Sequence, residues 1–262
     1  MSDIKKILSN LSQYDVFEGM TSISAVIKSV NNGSSNRRIA SVIYDSSRSE
    51  QKKRELSFLR KCSHDMDFDL IETDADIISS LTSGETHGGI VAITTKRTFS
   101  DDFVNKLTSG GFFALIEGIE DPYNFGYSIR SLYAAGVDGI ILPERNWMEY
   151  SGTVARSSAG TSELADIFVC NPETATKTFK MHGYKVVCAS IRDSVSIYDY
   201  DFNTPILLVV GGEKRGISRK ILDLSDANVR IDYGREFMGS LPSASAVSVI
   251  AFEVARQRSL SK

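Results

Sequence analysis

Short apolar segments alternate with amphipathic ones along the chain, and this alternation begins near residue 18. Apolar positions three or four residues apart predict helices, whereas compact runs of β-branched and aromatic residues predict strands. In the first part of the chain the pattern predicts helices over 18–30, 49–63 and 75–81, and strands over 38–44, 68–72 and 89–94. We therefore expect a small α/β unit in this region.

A polar break at Thr95–Thr98 separates this unit from a second series of strands that are more continuously apolar. These strands are predicted over 112–116, 139–142, 167–169, 185–189, 206–210 and 229–231, and the last helix over 243–258. Strands that are apolar along their whole length and alternate with helices are typical of a parallel sheet covered on both faces. The predicted fold class is α/β, with an N-terminal domain over 1–97 and a C-terminal domain over 98–262.

Composition narrows the class of protein without indicating a function. With 42% hydrophobic and 24% charged residues, the 262-residue chain is typical of a globular protein, which excludes disordered and collagen-like classes. The apolar stretches 205–212 and 244–255 are too short or too interrupted to cross a bilayer, and residues 1–7 lack a signal-peptide core. We therefore expect a cytoplasmic protein with no membrane partner. Three cysteines without a Cys-x-x-Cys pair and three scattered histidines predict neither disulfides nor a metal site.

The formal net charge of −3 argues at first against a nucleic-acid partner, because phosphate binding draws on lysine and arginine. The charge is, however, segregated along the chain. Residues 28–61 hold nine basic side chains against three acidic ones, whereas residues 62–85 hold seven acidic side chains and no lysine or arginine. The basic segment is either a solvated helix face or a surface that follows a phosphate backbone.

The first candidate motif, residues 117–130, follows a predicted apolar strand and opens a helix. Asn124 is placed to cap the helix, Gly126 permits close backbone approach, and Arg130 lies one to two turns further on. An arginine at this position is able to point toward an anion held near the helix start. An ordinary capped helix with a surface arginine explains the same residues.

The second candidate motif is the glycine-rich turn after the strand 206–210, which contains Gly211, Gly212, Glu213 and Gly216. Open α/β sheets bind ligands beyond the carboxyl ends of their strands, so such a turn is a common nucleotide-site arrangement. It lacks the lysine–hydroxyl pair of a P-loop, and no dinucleotide-binding fingerprint follows a strand. A tight connection that needs glycine for positive φ is the alternative.

The third candidate motif combines the segment 229–234 with Ser240, Leu241 and the small residues that enter the last helix. Small and hydroxylated residues let another backbone pack closely and leave amide groups free for a ligand. A core helix with Ser243 as its N-cap after Pro242 accounts for most of this pattern by itself.

In this order and at these separations, the three motifs resemble those of the SpoU (TrmH-type) branch of the SPOUT RNA methyltransferases. Asn124-x-Gly126-x-x-x-Arg130, Gly211-x-Glu213-x-x-Gly216 and Ser240-Leu241 are similar to its motifs 1, 2 and 3. The segment 156–160 is similar to a Ser/Gly segment that the family carries between motifs 1 and 2. Glu18-Gly19 and the segment 87–92 resemble the start and end of the family's N-terminal substrate-binding domain, so the resemblance covers nearly the whole chain.

The resemblance implies a C-terminal parallel sheet with a deep trefoil knot, S-adenosylmethionine as cofactor, a homodimer formed through the knotted domain, and methylation of a ribose 2′-hydroxyl. It implies an RNA substrate, ribosomal rather than transfer RNA, and an N-terminal α/β domain similar to ribosomal RNA-binding proteins. The residues expected to hold the cofactor are Leu142, Gly211, Gly212, Gly216, Ile231, Ser240 and Leu241. Those expected to contact RNA are Arg37, Arg38, Lys52, Lys53, Arg54 and Arg156.

The catalytic residues that the resemblance implies are Arg130, Asn124, Glu213 and Ser243. The family assigns activation of the ribose hydroxyl to Arg130. Because arginine is always protonated, we expect Arg130 to orient a phosphate and to stabilise the developing alkoxide rather than to act as a base.

Two positions depart from the family pattern. Asp232 stands where the family has proline, and Pro242 stands where it has asparagine, so Ser243 or Ser245 is expected to replace a lost hydrogen bond. A catalytically weakened RNA-binding member of the same fold therefore stays open as an alternative. A small-molecule enzyme that uses the glycine-rich turn is a further alternative, and transfer RNA is the alternative substrate.

Overall fold

The computed structural model describes residues 10–82, 87–144 and 150–260 of the chain. Its strands are β1 Tyr14–Glu18, β2 Ile39–Asp45, β3 Asp69–Thr73, β4 Ile90–Thr95, β5 Phe112–Ile116, β6 Gly139–Leu142, β7 Ile167–Val169, β8 Lys185–Ala189, β9 Val195–Ser196, β10 Ile206–Val210 and β11 Ala227–Arg230. Its helices are α1 Gly19–Asn31, α2 Lys53–Met66, α3 Ala75–Leu81, α4 Pro122–Ala134, α5 Ser151–Ser157, α6 Thr161–Leu164, α7 Pro172–Met181, α8 Arg219–Leu222 and α9 Ser243–Leu260.

The chain packs into two units whose boundaries differ from a simple division at residue 97. One unit contains residues 10–98 together with 150–164, and the other contains residues 99–144 and 165–260. The segment with α5 and α6, which we predicted to lie in the C-terminal domain, therefore packs with the N-terminal residues. The physical reason is burial: Ala155 of α5 joins the apolar core around Phe17 and Val26.

The N-terminal unit is built on a four-stranded mixed sheet with the order β1-β4-β2-β3. Strand β4 runs antiparallel to β1 and β2, whereas β3 runs parallel to β2. The strands and helices that the hydrophobic pattern predicted are all present, with shifts of a few residues at their ends. Strand β1 was not predicted, because two of its five residues, Asp15 and Glu18, are charged and nevertheless buried.

Asp15 is buried because it pairs with the buried Arg37. The Arg37 Nη1 lies 2.5 Å from Asp15 Oδ2 and its Nε lies 2.9 Å from Glu163 Oε2. All three side chains are at most 6% exposed, and the guanidinium also lies over the ring of Phe17. We predicted that Arg37 contacts RNA, but an arginine enclosed by two carboxylates in the core of the unit is inaccessible to a phosphate, so that prediction is wrong.

The second unit is built on a seven-stranded sheet with the order β7-β6-β5-β10-β8-β11-β9. Every pairing in this sheet is parallel, which confirms the predicted α/β class with a parallel sheet. Strands β5 and β10 lie at its centre and are buried along their whole length, as their continuous apolar sequences predicted. An aromatic cluster of Phe103, Phe113, Phe179 and Tyr184 packs against one face.

Helices α4 and α9 lie side by side in this unit, with the Ser131 and Ser248 hydroxyls 2.7 Å apart. Helix α4 begins after the N-cap Asp121, whose carboxylate accepts a hydrogen bond from the Asn124 amide, and Pro122 occupies the first helical turn. Proline is tolerated there because the first amides of a helix have no partner within it. These two helices carry the first and third candidate motifs.

Candidate functional site

The first two candidate motifs meet at the carboxyl ends of the central strands. Ile116 at the end of β5 is in register with Val210 at the end of β10, and the Glu117 amide donates to the Val210 carbonyl at 2.9 Å. The two loops that leave these strands therefore start side by side. In a parallel sheet this edge is where ligands bind.

Gly118 and Gly212 bring the two loops into direct backbone contact. A Cβ atom built on Gly212 would lie 1.7 Å from the Gly118 carbonyl oxygen, well inside any real contact distance. Only glycine allows this approach, since any side chain at residue 212 would push the loops apart. The sequence left open whether Gly212 belongs to a ligand loop or to a tight connection, and the structure adds that its backbone contacts Gly118.

Asn124 and Glu213 join the two motifs through their side chains. The Asn124 Nδ2 group donates to Glu213 Oε1 at 2.8 Å. We predicted that Asn124 caps the helix, but the cap is Asp121, so the Asn124 side chain is available for Glu213. The Asp121-Pro122 pair is the sequence signal that we overlooked, because an acidic N-cap followed by proline marks a helix start.

Further polar contacts hold the glycine-rich turn in one conformation. The Gly216 amide donates to the Gly212 carbonyl at 2.9 Å, and the Ser218 amide donates to Glu117 Oε2 at 2.8 Å. Gly216 has a φ of +63°, which favours glycine. The exposed Lys214 pairs with Glu120 at 3.3 Å, and exposed pairs of this kind contribute little stability.

Arg130 lies on the last turns of α4, on the solvent side of the helix. Among the described residues it has no hydrogen-bond or ion-pair partner, so its five N–H donors are available to a ligand. Tyr123 and Tyr127 precede it on the same helix and are 45% and 47% exposed. The helix therefore presents aromatic rings and a guanidinium to solvent.

The third motif follows the end of β11. The Leu241 amide donates to the Tyr233 hydroxyl at 3.1 Å, a contact that joins the two ends of the loop between β11 and α9. Ser240 is exposed, whereas Ser243 is buried at the start of α9. Because α9 packs on α4, the structure places the helices of motifs 1 and 3 together, but none of the contacts described here joins Ser243 to Arg130 or Glu213.

The residues predicted to hold a cofactor lie beyond the carboxyl ends of strands in the same sheet. Leu142 ends β6, Gly211 follows β10 and Ile231 follows β11. One strand lies between each of these positions and the next in the sheet order, so neighbouring positions are two strand spacings, or about 10 Å, apart. The arrangement gives a row of main-chain groups along one edge.

The remaining residues predicted to contact RNA have different environments in the N-terminal unit. Arg38, Lys53 and Arg54 are exposed, and Lys53 pairs with Glu50 at 2.6 Å. Lys52 is half-buried and donates to Glu55 at 3.1 Å, and Arg156 pairs with the buried Glu18.

The two cysteines of the second unit, the buried Cys188 and the partly buried Cys170, are poor nucleophiles because their thiol pKa values are raised. Burial raises the pKa of the Cys188 thiol to about 12 and that of the Cys170 thiol to about 11. Within the described ranges, no three histidine, cysteine or acidic side chains cluster as metal ligands. No helix of the described chain is long and apolar enough to cross a membrane.

A model of the SpoU rRNA methylase family matches residues 111–252 of the chain. This match spans more than half of the chain and contains all three motifs, so the chain belongs to the SpoU rRNA methylase family. The chain is 32% identical over 145 residues to a candidate TrmH family tRNA/rRNA methyltransferase of Staphylococcus haemolyticus, covering 55% of this chain and 58% of that relative. A Staphylococcus aureus protein of the same description is 27% identical over 213 residues, covering 79% and 85%.

Solved structures show the same fold. An rRNA methyltransferase from Sinorhizobium meliloti with bound S-adenosylmethionine has a TM-score of 0.78 at 22% identity, over 97% of this chain and 91% of that one. The SpoU methyltransferase AviRb from Streptomyces viridochromogenes, also in complex with S-adenosylmethionine, has a TM-score of 0.77 at 23% identity, over 95% and 92%. At these identities the likeness establishes the α/β fold.

Proposed function

We propose that this protein transfers the methyl group of S-adenosylmethionine to a ribose 2′-hydroxyl of ribosomal RNA. The proposal rests on the bond between Asn124 and Glu213 at the strand ends. The helix of Asn124 also carries the exposed Arg130, which has no partner within the described part of the chain. Membership of the SpoU rRNA methylase family supports the reaction and favours ribosomal RNA.

The chemistry of the strand-end row fits S-adenosylmethionine. The adenine and ribose of this cofactor are uncharged hydrogen-bonding groups, which main-chain amides and carbonyls bind without a charged side chain. We expect Leu142, Gly211, Gly212, Gly216, Ile231, Ser240 and Leu241 to supply these groups. When bound, the cofactor supplies an electrophilic methyl group on a sulfonium, so the protein has to position and activate only the hydroxyl.

Arg130 acts on the hydroxyl as a donor of hydrogen bonds and positive charge. A guanidinium has N–H donors and no acceptor, so Arg130 does not take up the hydroxyl proton, which passes to solvent water as the methyl group is transferred. Its fork of N–H groups matches a phosphate, which fixes the neighbouring ribose, and the positive charge stabilises the alkoxide that develops on the 2′-oxygen. Asn124 and Glu213 position α4, and hence Arg130, relative to the glycine-rich turn. Ser243 is the candidate for the hydrogen bond that the family asparagine makes.

A deep trefoil knot and a homodimer belong to the same proposal. Strand β10 is inserted between β5 and β8 after β6 and β7 have extended the sheet on the other side, so the chain returns to the centre of the sheet. Helices α4 and α9 pack together and leave Tyr123, Tyr127 and Phe252 exposed, the last of these at 52%. Exposed aromatic side chains on adjacent helices favour burial against a second copy. Light scattering tests this: the wild-type chain should have twice its 28.8 kDa mass, and Tyr127→Glu with Phe252→Glu should reduce it to the monomer.

The proposal is tested with purified chain, labelled S-adenosylmethionine, and RNA from cells that lack the gene. We expect label in ribosomal RNA and recovery of a 2′-O-methyl nucleoside after digestion. Label in transfer RNA would reassign the substrate, and label on a base would overturn the ribose assignment. Cofactor binding without transfer would identify the catalytically weakened RNA-binding alternative, which Pro242 motivates.

A further inference from the structure

A cleft of about 400 Å³ opens within the N-terminal unit, away from the three motifs. The first turn of α1 forms one side of the cleft. Lys52, at the N-cap of α2, and His87, just before β4, also line it. Arg156 of α5 completes the wall, so the segment 150–164, which packs with this unit, forms part of the cleft.

The side chains that line the cleft are mainly hydrogen-bond donors. Lys52 and Arg156 carry positive charge, and Lys52 uses one of its three N–H groups on Glu55. His87 Nδ1 accepts from the Gly89 amide at 3.1 Å, so the neutral imidazole carries its proton on Nε2, where it is a donor.

Ser22 adds a polar group to the lining of the cleft. The residue is 2% exposed and lines the cleft, yet its hydroxyl has no hydrogen-bond partner among the described residues. Other helical serines of this chain bond to a preceding carbonyl, as Ser29 and Ser128 do. We take the hydroxyl to be held for a group that enters the cleft.

Glu18 is the carboxylate among the described lining residues, and Arg156 neutralises it. Glu18 occupies the N-cap position of α1 but makes no side-chain capping bond, and its carboxylate pairs with Arg156. The first amides of α1 are therefore without a side-chain cap, and such amides favour an anion. Gly19 has a φ of +76°, which lets β1 turn directly into α1 at this point.

We propose that this cleft binds one nucleotide of the RNA substrate, with its phosphate held by Lys52, His87, Ser22 and the first amides of α1. The inference rests on the proposed function and assigns part of its substrate recognition. Met20 and Ile90 give the cleft an apolar wall for the sugar or base, and its volume exceeds that of a phosphate alone. RNA recognition then depends on particular residues rather than on the whole basic segment 28–61. This proposal therefore departs from the expectation from sequence that Lys53 contacts RNA, since Lys53 lies outside the cleft.

Neighbouring lysines provide a matched control. Lys52 lines the cleft, whereas Lys53 is outside it and exposed, although the two are adjacent and carry the same charge. If RNA binds only through general electrostatic attraction, Lys52 and Lys53 should contribute equally to the affinity, because long-range attraction depends on net charge. A specific phosphate site in the cleft would instead depend on Lys52 and not on Lys53.

The test measures binding of the full chain to fluorescein-labelled ribosomal RNA transcripts across a salt series. We expect Lys52→Gln to raise Kd about tenfold and to reduce the salt slope by about one, and Lys53→Gln to change Kd less than twofold. Ser22→Ala should raise Kd about threefold. The double variant Glu18→Gln with Arg156→Gln removes both charges of the pair and should fold while binding RNA more weakly.

The outcomes separate this inference from the proposed function. A wild-type chain that methylates RNA while Lys52→Gln and Lys53→Gln have equal Kd values overturns the cleft and leaves the methyltransferase standing. A wild-type chain that neither binds nor methylates RNA overturns both. A Lys52→Gln chain that binds RNA weakly but binds S-adenosylmethionine as the wild type does supports the cleft as an RNA site.

Discussion

Asn124 and Glu213, 89 positions apart in the chain, are joined by a hydrogen bond of 2.8 Å. This bond ties the first turn of α4 to the loop after β10. It positions α4, and therefore Arg130, against the row of main-chain groups at the strand ends. The bond thus connects the proposed cofactor site to the proposed catalytic side chain.

Removal of the Asn124 amide should slow methyl transfer without preventing cofactor binding. We expect Asn124→Ala to lower kcat about tenfold, equivalent to about 1.4 kcal/mol of lost positioning, and to change the Kd for S-adenosylmethionine less than twofold. Glu213→Gln should retain more activity than Glu213→Ala, since its carbonyl oxygen still accepts. Lys214→Ala is the control, because its exposed pair with Glu120 contributes little. Equal losses for Asn124→Ala and Lys214→Ala would refute the positioning role.

Substitution of Gly212 should separate the two loops. In Gly212→Ala the new methyl group would collide with the Gly118 carbonyl, so we expect cofactor affinity to fall about a hundredfold while the rest of the unit stays folded. Gly110→Ala is the control, since a Cβ there meets nothing within 4 Å. Calorimetric titration with S-adenosylmethionine measures the difference, and wild-type affinity in Gly212→Ala would show that the close approach is dispensable.

The strands, the parallel sheet and the candidate motifs were predictable because they depend on local residue pattern. Continuous apolar runs such as 206–210 identify central strands, and glycines after them identify the turn. The partner of each loop was not predictable. Gly118 and Gly212 meet only because β5 and β10 are neighbours in the sheet, a relationship that sequence order does not reveal.

The environments of the charged residues in the N-terminal unit were likewise not predictable from the sequence. Arg37, Arg38 and Lys52 look alike in a basic segment, yet Arg37 is enclosed by Asp15 and Glu163, Arg38 is exposed and Lys52 lines the cleft. The difference arises from residue 163, far along the chain. Burial of long-range partners, rather than local charge, decides which of them is available to RNA.

The buried Arg37 should contribute to stability rather than to RNA binding. Arg37→Ala leaves two carboxylates uncompensated in the core, and breaking a buried pair costs about 3–5 kcal/mol. Arg38→Ala, at the adjacent exposed position, should change the free energy of unfolding by less than about 0.5 kcal/mol. Chemical denaturation measures both. Unchanged stability in Arg37→Ala together with weaker RNA binding would restore the role that the sequence predicted.

The buried thiol of Cys188 should make the second unit sensitive to alkali. Its pKa is raised to about 12 in the folded chain from an ordinary 9.0, so the unfolded chain loses the proton first. The stabilising contribution is therefore complete below pH 9 and is lost as the pH rises toward 12. Cys188→Ala should show a shallower fall in unfolding free energy over this range than the wild type. Identical slopes would contradict the burial of this thiol.

The proposed activation of a ribose hydroxyl by Arg130 is tested by single-turnover methyl transfer from labelled S-adenosylmethionine to ribosomal RNA. We predict a 2′-O-methyl nucleoside as the product. Arg130→Ala should transfer about a hundredfold more slowly with unchanged cofactor affinity, the loss typical of one removed electrostatic donor. A wild-type rate in Arg130→Ala would contradict the role of Arg130, and label on a base would contradict methylation of the ribose.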